Sequence, residues 1–241
     1  MDKNPFSDSL REQFGERYVT PEEINAKTGI RYDYGWGEDI DMQLRRFPDF
    51  RYSDVDLSRH HLFLDPPYGP EKPRKEVFIS DPSILTKRAL RFIKRRRFLW
   101  QELHEPGWNA IDVSLQTIKE AAQKSFFEQI SILRIRNAKY RYHEEQLPEL
   151  QSLLWMMFIY RITRGENLIP KGTYVRSRDW IGCFERHEGK EWVKTSLFGK
   201  TPCIGIDSDG KIDISMEDVD ARQERITMLF MYKQPPFRGE P

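Results

Sequence analysis

The run Leu153-Leu154-Trp155-Met156-Met157-Phe158-Ile159-Tyr160 decides how this chain is built. It is apolar on every side, so a helix drawn through it has no face to offer water. Such a helix belongs in a core or in a subunit interface. It falls far short of the ~20 residues needed to cross a bilayer. The helix is expected to start near Leu147 or Pro148 and to stop at Gly165. Met156 and Met157 read as flexible gap-fillers.

Two helices are expected upstream. Asp81 can cap free amides and Pro82 suits a first helical position. Leu85, Ala89, Phe92, Ile93, Leu99, Trp100 and Leu103 then recur close to a 3.6-residue period, up to the stop at Pro106-Gly107. The opposite face is basic: Lys87, Arg88, Arg91, Lys94, Arg95, Arg96 and Arg97. Such a face gains affinity for a polyanion by releasing counterions, or it is a solvated face matched to acidic protein surface. The steps of three and four from Ile111 through Leu115, Ile118, Ala122, Phe126, Ile130 and Leu133 predict a second, long helix over about Ala110 to Tyr142. At 1.5 Å per residue it would be a rod of roughly 45–50 Å.

The bulk numbers exclude several classes. Lys and Arg total 39 against 38 Asp and Glu, a net charge of +1, so any nucleic-acid contact must be local. Two cysteines, Cys183 and Cys203, make neither a disulfide framework nor a zinc module. The N-terminus lacks the apolar stretch of a secretory signal, and no segment is long and apolar enough to insert in a membrane. The expected location is intracellular or within a particle.

The first eighty residues hold two short helices, one within Ser7 to Tyr18 and one started by Thr20-Pro21-Glu22-Glu23 and ended before Gly29. Ile30 to Ser80 reads as irregular extended chain carrying many aromatics, Tyr32, Trp36, Phe47, Phe63 and Phe78 among them. Disordered linkers carry few rings, so the stretch is expected to be an arm laid on its own helices or on neighbouring subunits. Within it stands Asp65-Pro66-Pro67-Tyr68, preceded by Leu62-Phe63-Leu64. The motif resembles the catalytic loop of DNA amino-methyltransferases. That resemblance implies Asp65 and Pro66 as hydrogen-bond partners of a target amine and Tyr68 as a stacking platform for a flipped base. It also implies a methyl-donor half with a strand and a Gly-rich turn. Tyr34-Gly35-Trp36-Gly37 is the nearest match, and it lacks the strand. The alternative is a rigid Pro-rich loop.

After Pro170 the period shortens to that of strands, around Thr173–Val175, Trp180–Phe184, Trp192–Thr195, Cys203–Ile206, Lys211–Ile214 and Ile226–Tyr232. His187–Lys190 and Asp207–Gly210 are hairpin signals, and a short helix is expected over Met216 to Arg222. Asp207, Asp209 and Asp213 lack calcium-loop spacing. Cys183, His187 and Cys203 lack a fourth ligand.

The fold class expected is therefore α+β. An irregular arm spans 1–80, a three-helix block with one long helix spans 81–165, and a small antiparallel sheet or barrel with a tail spans 166–241. The sequence points to no metal, no cofactor and no assembled catalytic set. The function expected is a non-catalytic subunit of a large multi-protein assembly, such as a virion connector or tail component or an organellar complex subunit. Its partners are other protein subunits, met through the arm and the apolar third helix. The alternatives are a methyltransferase-like enzyme using Asp65, Pro66 and Tyr68, or a nucleic-acid-binding subunit using the helix 87–97.

Overall fold

A computed structural model describes residues 5–30, 57–64, 74–95, 108–138, 145–179, 184–188, 191–195 and 200–234. The fold is mixed α+β. The α-helices are α1 (Pro5–Phe14), α2 (Pro21–Thr28), α3 (Arg74–Ser80), α4 (Lys87–Arg95), α5 (Leu115–Ala121), α6 (Phe126–Asn137) and α7 (Leu150–Arg164). The strands are β1 (His60–Leu64), β2 (Trp108–Asp112), β3 (Tyr174–Arg176), β4 (Phe184–Glu188), β5 (Glu191–Thr195), β6 (Lys200–Ile206), β7 (Ile212–Asp218), β8 (Ile226–Thr227) and β9 (Phe230–Gln234).

The apolar run lies at the centre. Every residue of α7 from Leu150 to Tyr160 is buried. The helix closes at Gly165, which takes the left-handed conformation at φ 73°, a backbone state that glycine adopts without steric cost. The core around α7 gathers Phe63, Ile111 and Met231 with Val175, Ile204, Ile206, Ile212 and Ile214. It thus draws on the described residues from the beginning, the middle and the end of the chain. Phe78 on α3 meets Trp155 and Phe158 edge-on, at centroid distances of 6.2 and 4.9 Å. The indole nitrogen of Trp155 donates to the Leu64 carbonyl at 3.1 Å, which ties the end of β1 to the helix.

Two sheets flank that helix. One, ordered β1-β2-β9, is antiparallel and joins three segments distant in sequence. The other, ordered β7-β6-β3-β8, is antiparallel except for the short β3–β8 pair. The β4–β5 hairpin stands as a third, two-stranded sheet.

The long rod expected over Ala110 to Tyr142 is not formed. Trp108–Asp112 is a strand, followed by two helices that a turn separates, with Gln123 at φ 59°. Side chains make both breaks. Asp112 accepts from the Ser114 amide at 2.9 Å and the Thr117 hydroxyl at 2.5 Å. Ser114 then caps α5, and Ser125 and Glu128 form a reciprocal capping box on α6. The helix expected from Asp81 begins later, at Lys87. Asp81 caps a single 3-10 turn, Pro82–Ile84, and Leu85 pairs with Ile212 before α4 starts. The helix expected over Met216 to Arg222 is instead the end of β7 and a turn. The irregular stretch expected from Ile30 to Ser80 contains β1 and α3, and residues 31–56 lie outside the described ones.

The beginning of the chain folds onto the core. Thr20 and Glu23 complete a capping box at the start of α2. The same Glu23 accepts both Nη atoms of Arg164 at 3.0 and 3.1 Å, and Arg164 also donates to the carbonyls of Glu16 and Tyr18. The end of α7 thereby holds the link between α1 and α2.

Candidate functional site

The basic helix is the first candidate, and its placement follows from its own pattern. Ala89 and Ile93 are buried, with Leu90 and Phe92 packed beside them. Lys87, Arg91, Lys94 and Arg95 are exposed. At 100° per residue these four cations share an arc of about 100° on the solvent side of α4. Arg96 and Arg97 lie outside the described residues.

Arg88 is exposed as well, but its guanidinium is engaged within the chain. It donates through Nε (3.0 Å) and Nη2 to Asp213 on β7, whose carboxylate also accepts from the Thr86 hydroxyl at 2.5 Å and the Tyr174 hydroxyl at 2.9 Å. Burial pushes the Asp213 carboxyl upward, but the hydrogen bonds from Arg88, Thr86 and Tyr174 outweigh it and hold the group below its ordinary range. Burial and the Asp213 contact push the Tyr174 phenol up to about 12. The geometry depends on one glycine. Tyr174, Gly205 and Asp213 face one another across three neighbouring strands. A Cβ on Gly205 would overlap the Thr173 carbonyl and the Tyr174 ring. Its absence lets the ring lie flat across β6 and reach Asp213. The cluster clamps α4 to the β6–β7 hairpin; the sequence had offered Arg88 for nucleic acid and had assigned Asp213 to no site.

The second candidate is the outer face of α6. Phe126, Gln129, Ile130 and Leu133 point inward, toward Ala121, Leu147, Met228 and Phe230. Phe127 and Ile135 point outward and are 55% and 62% exposed. Ser131 and Ala138 lie between and beyond them, so large and small side chains alternate on one stripe, with the exposed Arg134 beside it. The helix itself is held firmly. Arg136 makes paired hydrogen bonds of 2.5 and 2.6 Å to the buried Glu145 and stacks 4.5 Å from the centre of the Phe230 ring. Asn137 exchanges two bonds of 2.8 Å with the backbone of Glu145.

Buried polar groups elsewhere carry structure. Arg176 is fully buried, and no carboxylate among the described residues lies within ion-pair reach of it. Its Nη atoms donate to Gln129 and to the carbonyls of Lys124, Asp218 and Ala221. This bridges α6 to the sheet edge. Cys203 sits opposite Arg176 across the strands, and burial pushes its thiol up to about 12, the opposite of an activated nucleophile. His61 lies against Tyr160 with ring centroids 5.3 Å apart. Burial first, then the charges of Arg17 and His60, push its pKa down to about 4. His60 pairs across the ladder with Asp112, on the sheet face opposite His61.

No group of three or more His, Cys, Asp or Glu among the described residues is placed to hold a metal ion. Asp65, Pro66 and Tyr68 lie outside the described residues, as do Cys183 and His104. Leu62-Phe63-Leu64 does form a strand leading to Asp65, but that strand belongs to an antiparallel sheet. The alternating parallel sheet that the methyltransferase resemblance implies does not occur among the described residues. No helix among them is long and apolar enough to cross a membrane. Comparison with family models, curated proteins and solved structures finds no match to this chain.

Proposed function

We propose that this chain is a non-catalytic subunit of a multi-protein assembly and that it docks through the outer face of α6. The observation that carries this reading is the stripe of Phe127 and Ile135 on a helix whose opposite face is already packed. Two large apolar side chains held outward on an anchored helix match the helix-in-groove mode of recognition. The small residues Ser131 and Ala138 leave room for a partner's side chains to enter. Arg134 favours a carboxylate on the partner's rim. The apolar helix α7, offered by the sequence as a docking element, is enclosed by its own chain and so takes no part. An interface adequate for a stable subunit buries well above ~2,000 Å², so the α6 stripe is the centre of a larger patch. The test is the native mass of the chain with and without Phe127→Lys and Ile135→Lys. The substituted chain should leave the high-mass fraction of a native extract while keeping its circular dichroism. A chain that sediments as a monomer in both forms overturns the reading.

A second reading, local binding of nucleic acid by α4, is favoured by the contiguous arc of Lys87, Arg91, Lys94 and Arg95. Replacing all four by Gln should reduce the slope of log affinity against log salt by about 3 to 4 on duplex DNA. An unchanged slope removes α4 from consideration.

A further inference from the structure

A cavity of about 340 Å³ opens between the last turn of α2, the turn that follows α3, and the second half of α7. That volume lies in the range of small-molecule sites. Val77, Ile84, Phe158 and Ile162 line it with apolar side chains, and Lys27, Arg161, Asp81 and Ser80 line it as well. The two lining cations have unspent donors. Lys27 has no hydrogen-bond or ion-pair partner among the described residues. Arg161 donates only Nη1, to the Gly165 carbonyl at 2.9 Å, which leaves Nε and Nη2 open. Ser80 spends its proton on the Val77 carbonyl at 2.6 Å and so offers only an acceptor. Asp81 uses Oδ1 for the Ser83 amide and hydroxyl and leaves Oδ2 open.

We propose that this cavity binds a small amphipathic monocarboxylate, with its apolar body on Val77, Ile84, Phe158 and Ile162 and its carboxylate between Lys27 and Arg161. The apolar part of the lining is best matched by a hydrocarbon or aromatic body, which takes that surface out of water. The open guanidinium edge of Arg161 suits the planar oxygens of a carboxylate. The carboxylate of Asp81 in the same lining repels added negative charge, so a monoanion is preferred to a phosphate dianion. This site is independent of the α6 surface and of the α4 arc.

Isothermal titration of the full chain with octanoate, octanol and octyl phosphate tests the proposal. Octanoate should bind at one site with a dissociation constant of roughly 0.1 mM, and octanol and octyl phosphate at least about tenfold more weakly. Lys27→Gln combined with Arg161→Gln should weaken octanoate about tenfold or more and leave octanol unchanged. Ser80→Phe, which puts a ring into the cavity, should abolish binding of both. An unchanged unfolding midpoint shows that the charge variants fold, and the comparison of octanoate with octanol on the unmodified chain needs no variant. Absence of saturable octanoate binding, equal affinity for octanoate and octanol, or tighter binding of octyl phosphate overturns the proposal.

Discussion

Helices α7 and α6 are both rich in large apolar side chains, and they meet opposite ends. α7 lies between two sheets and is buried all round from Leu150 to Tyr160. α6 is packed on one side only, so Phe127 and Ile135 remain in water. The difference lies in the neighbours. α7 has the inner rows of both sheets and Phe78 against it, whereas α6 sits at the rim, held by Arg136, Asn137 and Arg176. Apolar content states how much surface asks for cover; the topology states who supplies it. Where the described residues supply none, the side chain stays exposed to water.

Substitutions should separate the two helices sharply. Trp155→Ala removes the largest fully buried side chain among the described residues and the bond to the Leu64 carbonyl, and should cost about 4 kcal/mol in urea unfolding. Acid should act on the same central region through His61. The unfolded imidazole titrates near 6.5 and the folded one near 4, so the unfolded chain binds the proton first. Stability is therefore intact above pH 6.5 and falls as pH drops toward 4, by on the order of 3 kcal/mol in total. His61→Phe should flatten that slope in unfolding experiments across the window. Asp213→Ala leaves the Tyr174 hydroxyl buried without its acceptor and unpins α4, for a loss of about 2 kcal/mol by the same measurement. Ser125→Ala removes one half of the capping box of α6 and should cost about 1 kcal/mol. Phe127→Ser with Ile135→Ser should change monomer stability by less than about 0.5 kcal/mol each while abolishing assembly. A large stability loss there would mean that the chain itself covers the stripe.

What was legible in the sequence was local. The helix start at Thr20-Pro21, the stops at Gly29 and Gly165, the hairpin at Asp207–Gly210 and the course of α7 all stand where nearby chemistry puts them. The long helix failed because the spacing from Ile111 to Leu133 continues through a strand, two helices and the turns between them. Periodicity alone cannot see a break that side-chain caps create. Ser125-Phe126-Phe127-Glu128 carried the signal, a capping-box pattern in the middle of the expected rod. β1 was legible in part: Leu62-Phe63-Leu64 fit a strand feeding the Asp65 loop, but its partner, Trp108–Asp112, lies far along the chain. At the candidate sites the exposed arc of α4 was legible from charge alone. The removal of Arg88 by Asp213 depended on a contact between residues far apart in the chain. The outward face of α6 was hidden inside the mistaken rod.

The sheet β1-β2-β9 has a kinetic consequence. Its middle strand, Trp108–Asp112, takes one neighbour from residues 60–64 and the other from residues 230–234. On a ribosome the middle strand emerges long before its second neighbour, with one row of amides and carbonyls still bare. Ladders between such distant segments close slowly. The nascent chain therefore passes through a stretch of synthesis during which β2 is an open template, and chaperone cover over that interval would guard it from pairing with the wrong strand.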